Sequence, residues 1–162
     1  MDDELTSILP SAVALGAAAL VALLLTFSRG WAEGSRAQTR GAVRLALVAV
    51  LLEAAHFAEE LSTGFHERFP ALFDRSPMPL PVFVLFNLAW LAIWILSVWG
   101  LAARNRGALF PLWFLALASI ANGLAHPAFS ALEGRYFPGL VTAPAVGIVG
   151  VLLLRRLLSL TG

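Results

Sequence analysis

Five long apolar stretches, separated by short polar or proline-rich breaks, make up most of the 162 residues. The first runs from about Pro10 to Phe27, the second from Ala42 to Leu61 and the third from Leu80 to Ala102. The fourth covers about Leu109 to Ala131 and the fifth about Leu140 to Leu154. A hydrocarbon core takes roughly 20 helical residues to cross. Each stretch therefore reads as a transmembrane helix, the fifth reaching full length only if it continues past Arg155 and Arg156 with their guanidinium groups snorkelling. Lipid offers no hydrogen bonds, so the backbone of each span must satisfy itself as a helix. The pattern predicts an all-α polytopic bundle, a single transmembrane domain over residues 1–162, with no internal repeat. Asp2, Asp3 and Glu4 stand where a signal peptide carries basic residues, so the first stretch reads as an uncleaved span. Pro70, Pro77, Pro79 and Pro81 mark the break between spans two and three as a stiff loop.

The second span is interrupted by charge. Glu53, His56, Glu59 and Glu60 fall inside it, and each ionised group at bilayer depth costs on the order of 2.5–3.5 kcal/mol. With Glu53 at 0°, Glu60 falls near 340°, His56 near 300° and Glu59 near 240°, at about 100° per residue. The four share roughly one face, which can point into the bundle while Leu, Ala and Val meet lipid.

Arginine placement sets an orientation. Arg29, Arg36, Arg40 and Arg44 flank the loop between spans one and two, Arg104 and Arg106 follow span three, and Arg155 and Arg156 close span five. The other loops are acidic or mixed. The positive-inside rule then places the N-terminus outside and the C-terminus inside, as an odd number of spans requires. In that frame the charged stripe lies in the outer half of the membrane. Span four carries Ser119, Asn122 and His126 to a similar depth, span three carries Asn87, and span five starts at Thr142. Four helices delivering polar groups to one level predict a shared outward-facing cavity, with His56 and His126 within about 10 Å of one another. Spans one and five carry little else that is polar and read as braces for the middle three. Gly16 to Leu20 and Gly147 to Gly150 would allow close helix approach.

Composition confirms the class and narrows the chemistry. Hydrophobic residues make up 59% and charged residues 13% of the chain, against about 25% charged in soluble domains. All eleven basic residues are arginine, which points to a GC-rich bacterial genome and hence to a bacterial inner membrane. The absence of cysteine removes disulfides, thiolate ligands and thiol nucleophiles. A net charge of +1 offers nothing to nucleic acid. The expected partners are the lipid bilayer and a lipidic or amphipathic small molecule. Oligomeric state is left open.

The run His56-Phe57-Ala58-Glu59-Glu60, with Asn122, His126 and the block Tyr136-Phe137-Pro138-Gly139, resembles the HXXEE-motif family of small membrane proteins. The resemblance implies a polytopic membrane protein with a metal or catalytic site at His56, Glu59 and Glu60, and supplies no substrate.

The residue types suggest what that site does. Glu53 and His56 have the Glu-x-x-His spacing of di-iron bundles, but the second motif and further carboxylates are missing. The zincin pattern is absent too. What remains is a mononuclear set of His56, His126 and Glu60, suited to Zn²⁺ with an open position or to Fe(II) as a facial triad. Glu53 or Glu59 then acts as general base or orients a ligating imidazole, and Asn122 donates to a developing oxyanion. A metal-free Glu/His site is a close alternative, since burial and neighbouring carboxylates spread proton affinities. The expected function is a membrane enzyme of hydrolase or isomerase type. A proton-coupled carrier or relay, or a non-catalytic assembly factor, is the alternative. Plainer roles compete at several positions. Asn87 can bond a neighbouring helix, and His66 can be a solvated loop residue. Trp31, Trp113 and Tyr136 can be interfacial anchors, while Trp90, Trp94 and Trp99 pack or meet lipid.

Overall fold

A computed structural model describes residues 2–32 and 38–162, with side chains from Thr6 onward. Arg36 and the side chains of Asp2, Asp3 and Glu4, which entered the charge asymmetry, lie outside the described residues. Helices α1 (Asp2–Ser28), α2 (Thr39–Thr63), α3 (Phe65–Ala71), α4 (Leu80–Ala102), α5 (Leu109–Glu133) and α6 (Ala143–Leu160) account for nearly all of it. Every one except α3 is long and apolar enough to cross a membrane, with candidate spans of 18 to 28 residues, or roughly 27–42 Å at 1.5 Å per residue. The protein is a multi-pass helical membrane protein.

Helix ends follow local chemistry. Gly64 at φ +81° closes α2 and Gly134 at φ +64° closes α5, both in the left-handed conformation that glycine adopts without a Cβ penalty. Pro81 and Pro144 sit in the first turns of α4 and α6, where a missing N–H costs no hydrogen bond. The break after span two is not all loop. The chain turns at Gly64 directly into α3, so His66 lies on a helix with its side chain only 15% exposed beside Glu67, not on a solvated loop.

Small residues set the packing. A Cβ on Gly123 of α5 would lie 2.5 Å from the Gly147 Cα of α6, and one on Gly150 would lie 2.8 Å from the Ser119 Cβ. These two helices form the most extensive interface of the bundle. Gly16 behaves differently from expectation: a Cβ there would meet nothing within 4 Å, so it makes no close helix contact. The main core joins Ala42, Ala46, Ala49, Leu112, Leu115 and Leu153. Trp113, expected at an interface, is fully buried in that core. A second cluster of Phe57, Phe69, Met78, Phe83 and Phe137 gathers at the α3 end. Outward-facing Leu85, Leu124, Leu132 and Ile148 are exposed, as side chains meeting lipid would be.

At the opposite end, arginines serve the backbone. Arg106 donates to the carbonyls of Thr26 (3.1 Å) and Arg29 (3.0 Å) at the end of α1, where a helix leaves carbonyls unpaired. Arg104 lies over the Trp31 ring at 4.5 Å. Gly30 and Ala32 pair with Leu160 and Gly162 through backbone hydrogen bonds of 2.9–3.2 Å.

Candidate metal centre

Four buried side chains converge beneath α3. Glu53, His56 and Glu60, within eight residues on one α2 face, are 6%, 1% and 7% exposed, and α5 brings His126, 2% exposed, against them. The two imidazole rings meet edge to face with centroids 4.7 Å apart. Oε1 of Glu60 lies 3.5 Å from His56 Nε2 and 3.4 Å from His126 Nε2. One ligand atom from each of the three falls within 4.8 Å of the others. Ligands at about 2.0–2.1 Å from a tetrahedral ion stand roughly 3.4 Å apart, so the two Glu60 edges match such a site.

The hydrogen bonds behind the rings decide which nitrogens carry protons. His126 Nδ1 lies 2.5 Å from the Pro138 carbonyl oxygen. A carbonyl only accepts, so Nδ1 donates and the neutral ring keeps its lone pair on Nε2. His56 Nδ1 lies 2.7 Å from Thr142 Oγ1. The Thr142 hydroxyl spends its one proton on Glu59 Oε2 at 2.6 Å, so it accepts from His56 Nδ1. His56 Nε2, buried and without a hydrogen-bond partner among the described residues, therefore also presents a lone pair. Two imidazole lone pairs and a carboxylate oxygen face one another in a buried space, an arrangement suited to a cation.

Glu59 stands one layer behind. It accepts from the Tyr136 hydroxyl (2.7 Å) and the Val141 amide (2.9 Å) on Oε1, and from the Thr142 amide (2.8 Å) and hydroxyl on Oε2. Four donors fill its acceptor sites and set a carboxylate at the start of α6, where the helix dipole favours negative charge. Burial and the bond to Glu59 push the Tyr136 phenol above its usual value, so it stays a donor. Tyr136 is thus a structural partner of the motif as well as a half-exposed aromatic. Glu53 accepts from Ser119 Oγ at 2.5 Å. Asn122 is half-buried, one turn from His126. Asn87 donates to the Phe83 carbonyl of its own helix at 2.9 Å, not to a neighbouring helix.

The turn between α5 and α6 completes the site, and sequence reasoning gave it no role beyond a motif block. Gly139, at φ +88°, backs both rings: a Cβ there would come within 2.6 Å of His126 and 2.8 Å of His56. Arg68 of α3 pins this turn by ion-pairing with Glu133 and donating to the Tyr136 carbonyl at 2.9 Å. The signal for it was the glycine itself, beside a threonine at a helix start.

A cavity of about 460 Å³ opens beside the cluster, with walls from α1, α2, α4 and α5 and a rim from α3. Glu53, Glu60, His56, His126, Asn87 and Asn122 all reach it. Span one, expected to be only a brace, therefore forms one wall, span five contributes none, and most of the wall is apolar.

A family model described as a protein of unknown function with HXXEE motif matches residues 47–153. No curated protein and no solved structure matches the chain. The motif's histidine and second glutamate are the clustered His56 and Glu60, and its first glutamate is the orienting Glu59. The chain belongs to the HXXEE-motif family of proteins of unknown function.

Proposed function

We propose that the protein is a membrane-embedded, metal-dependent enzyme of hydrolase type acting on an amphipathic small molecule. The observation that carries this reading is the pair of Nε2 lone pairs turned toward the Glu60 carboxylate, each fixed by a hydrogen bond on the other ring nitrogen. His56, His126 and Glu60 hold the ion, a borderline cation of the Zn²⁺ kind or Fe(II). When bound, it supplies Lewis-acid polarisation and a nucleophile at neutral pH. Glu53, facing the same cavity, takes up the proton released by the attacking water. Asn122 donates to negative charge developing on the substrate. Glu59 acts through Thr142 to hold the His56 ring in its ligating tautomer. On the arginine distribution, the site faces the outer half of a bacterial inner membrane. The cavity beside the cluster supports ligand processing over a purely structural polar seam.

Metal analysis of the purified protein tests this. A stoichiometric divalent ion is expected in the native chain, lost in His56→Ala and His126→Ala. Negligible metal in all three after supplementation with zinc or iron overturns the reading.

A further inference from the structure

The cavity has a shape that its chemistry alone does not explain. From the level of the histidines its wall runs on α5 from His126 to Phe114, on α4 from Phe83 to Trp94, and on α1 from Ile8 to Ala19. The ends of each run stand eleven or twelve positions apart, so this part of the space is a slot roughly 17 Å long, parallel to the helices. Ile8 packs with the aromatic cluster at the α3 end, so all three walls begin at the level of the histidines. The cavity as a whole holds about 460 Å³.

That volume is selective. An α-helix with its side chains is about 10–12 Å across, so a helical segment laid along the slot would take several times that space. A single hydrocarbon chain fits. Polar side chains reach the upper part of the slot, where Ser11, Asn87 and Asn122 stand near the cluster. The far end is lined by Ala19, Trp90, Trp94, Phe114 and Ala118, with no charged group. An extended chain advances roughly 1.2 Å per bond, a third of the span of one residue, so the slot holds on the order of 14 chain atoms.

The fold also provides a way in. α1 packs along α5 and touches α3 but forms no extended interface with α4, although both line the slot. Gly16 and Ala12 of α1 face it with small side chains, and a Cβ on Gly16 would meet nothing within 4 Å. The α1–α4 seam lies between spans that meet lipid, so a chain can enter sideways from the bilayer without passing through water.

We infer that the slot binds one unbranched hydrocarbon chain of a lipid amphiphile, with its polar head held at the His56, Glu60 and His126 cluster. The inference rests on the proposed enzyme only for the fate of the head group. The chain site stands on the walls.

The test uses the purified full-length protein and an alkylphosphocholine series from octyl to octadecyl, read by displacement of a polyene-chain fatty acid that quenches tryptophan. Affinity should rise about fourfold per added methylene until the slot is filled, near tetradecyl, and then stop rising. Ala118→Phe should move that break to shorter chains. Gly16→Leu, which enters open space and leaves the packing alone, should lower affinity for every chain above octyl. Cholesterol should not compete. Affinity that climbs steadily through octadecyl, a break that neither variant changes, or equal competition by cholesterol overturns the inference. Metal content, measured on the same samples, separates the two readings. A chain-length break in metal-free protein keeps the slot and removes the metalloenzyme. Bound metal without a break does the reverse.

Discussion

Glu59 and Glu60 are neighbours in sequence, yet 100° of helix rotation sends them to different tasks. Glu60 turns inward with His56 and meets both imidazoles; Glu59 turns toward the α6 start and takes four hydrogen bonds. Replacing Glu59 by Gln keeps the shape but sets an NH₂ against N–H donors, which releases Thr142 and frees the His56 ring to rotate. Metal affinity, measured by competition with a chelating dye, is expected to fall on the order of 10–100-fold, as it does when an orienting partner is removed. Glu60→Gln should instead remove a ligand and abolish binding. The helical angles of these residues were legible from spacing alone, and so was the alignment of His56 with Glu60. The division of labour was not. It depends on the path of residues 134–142, which the left-handed Gly134 and Gly139 bend back onto the rings, and no periodicity reports such a turn.

Helices α5 and α6 are held close by glycine, and that contact places Thr142 and Pro138 behind the two histidines. Gly123→Leu puts a side chain where the Gly147 backbone already stands. Overpacking of this kind costs about 1–3 kcal/mol. A lower midpoint in detergent-phase thermal unfolding is expected, together with weakened metal binding, since the α6 start moves with the helix. An unchanged midpoint would mean the helices part without cost. The five spans were legible because each is a long apolar run, and α6 extends through Arg155 and Arg156 to Leu160 as snorkelling allows. Helix α3 was hidden because its seven residues are too few for a hydrophobic period to show.

Across the whole molecule, the polar cluster sits toward the α3 end and most of the arginines gather at the other. The chain lacks cysteine, so single thiols at Ser62 and Ser159, both exposed, report sidedness against a clean background. The arginine bias leads us to expect Ser62→Cys to react with an impermeant maleimide in intact cells and Ser159→Cys only after permeabilisation. The reversed pattern would put the cluster on the cytoplasmic side. A pocket built from polar groups of several spans was foreseeable, because Asn122 and His126 share the depth of the α2 stripe. Its apolar depth was not, because α1 carries no chemical marker of the surface it covers.

The chain of contacts from His56 through Thr142 to Glu59 would link occupancy of the proposed ion site to the mechanical integrity of the bundle. A cation held by Nε2 would restrain a ring whose far side is tied to the first residues of α6, so loading and docking of that helix would share free energy. At a free-ion level a hundred times the dissociation constant, binding adds about 2.7 kcal/mol to stability. Stripping the ion with a chelator should therefore lower the melting temperature of native protein. Thr142→Val, which severs the tie while leaving all three ligands in place, should melt lower from the outset and respond less to chelation.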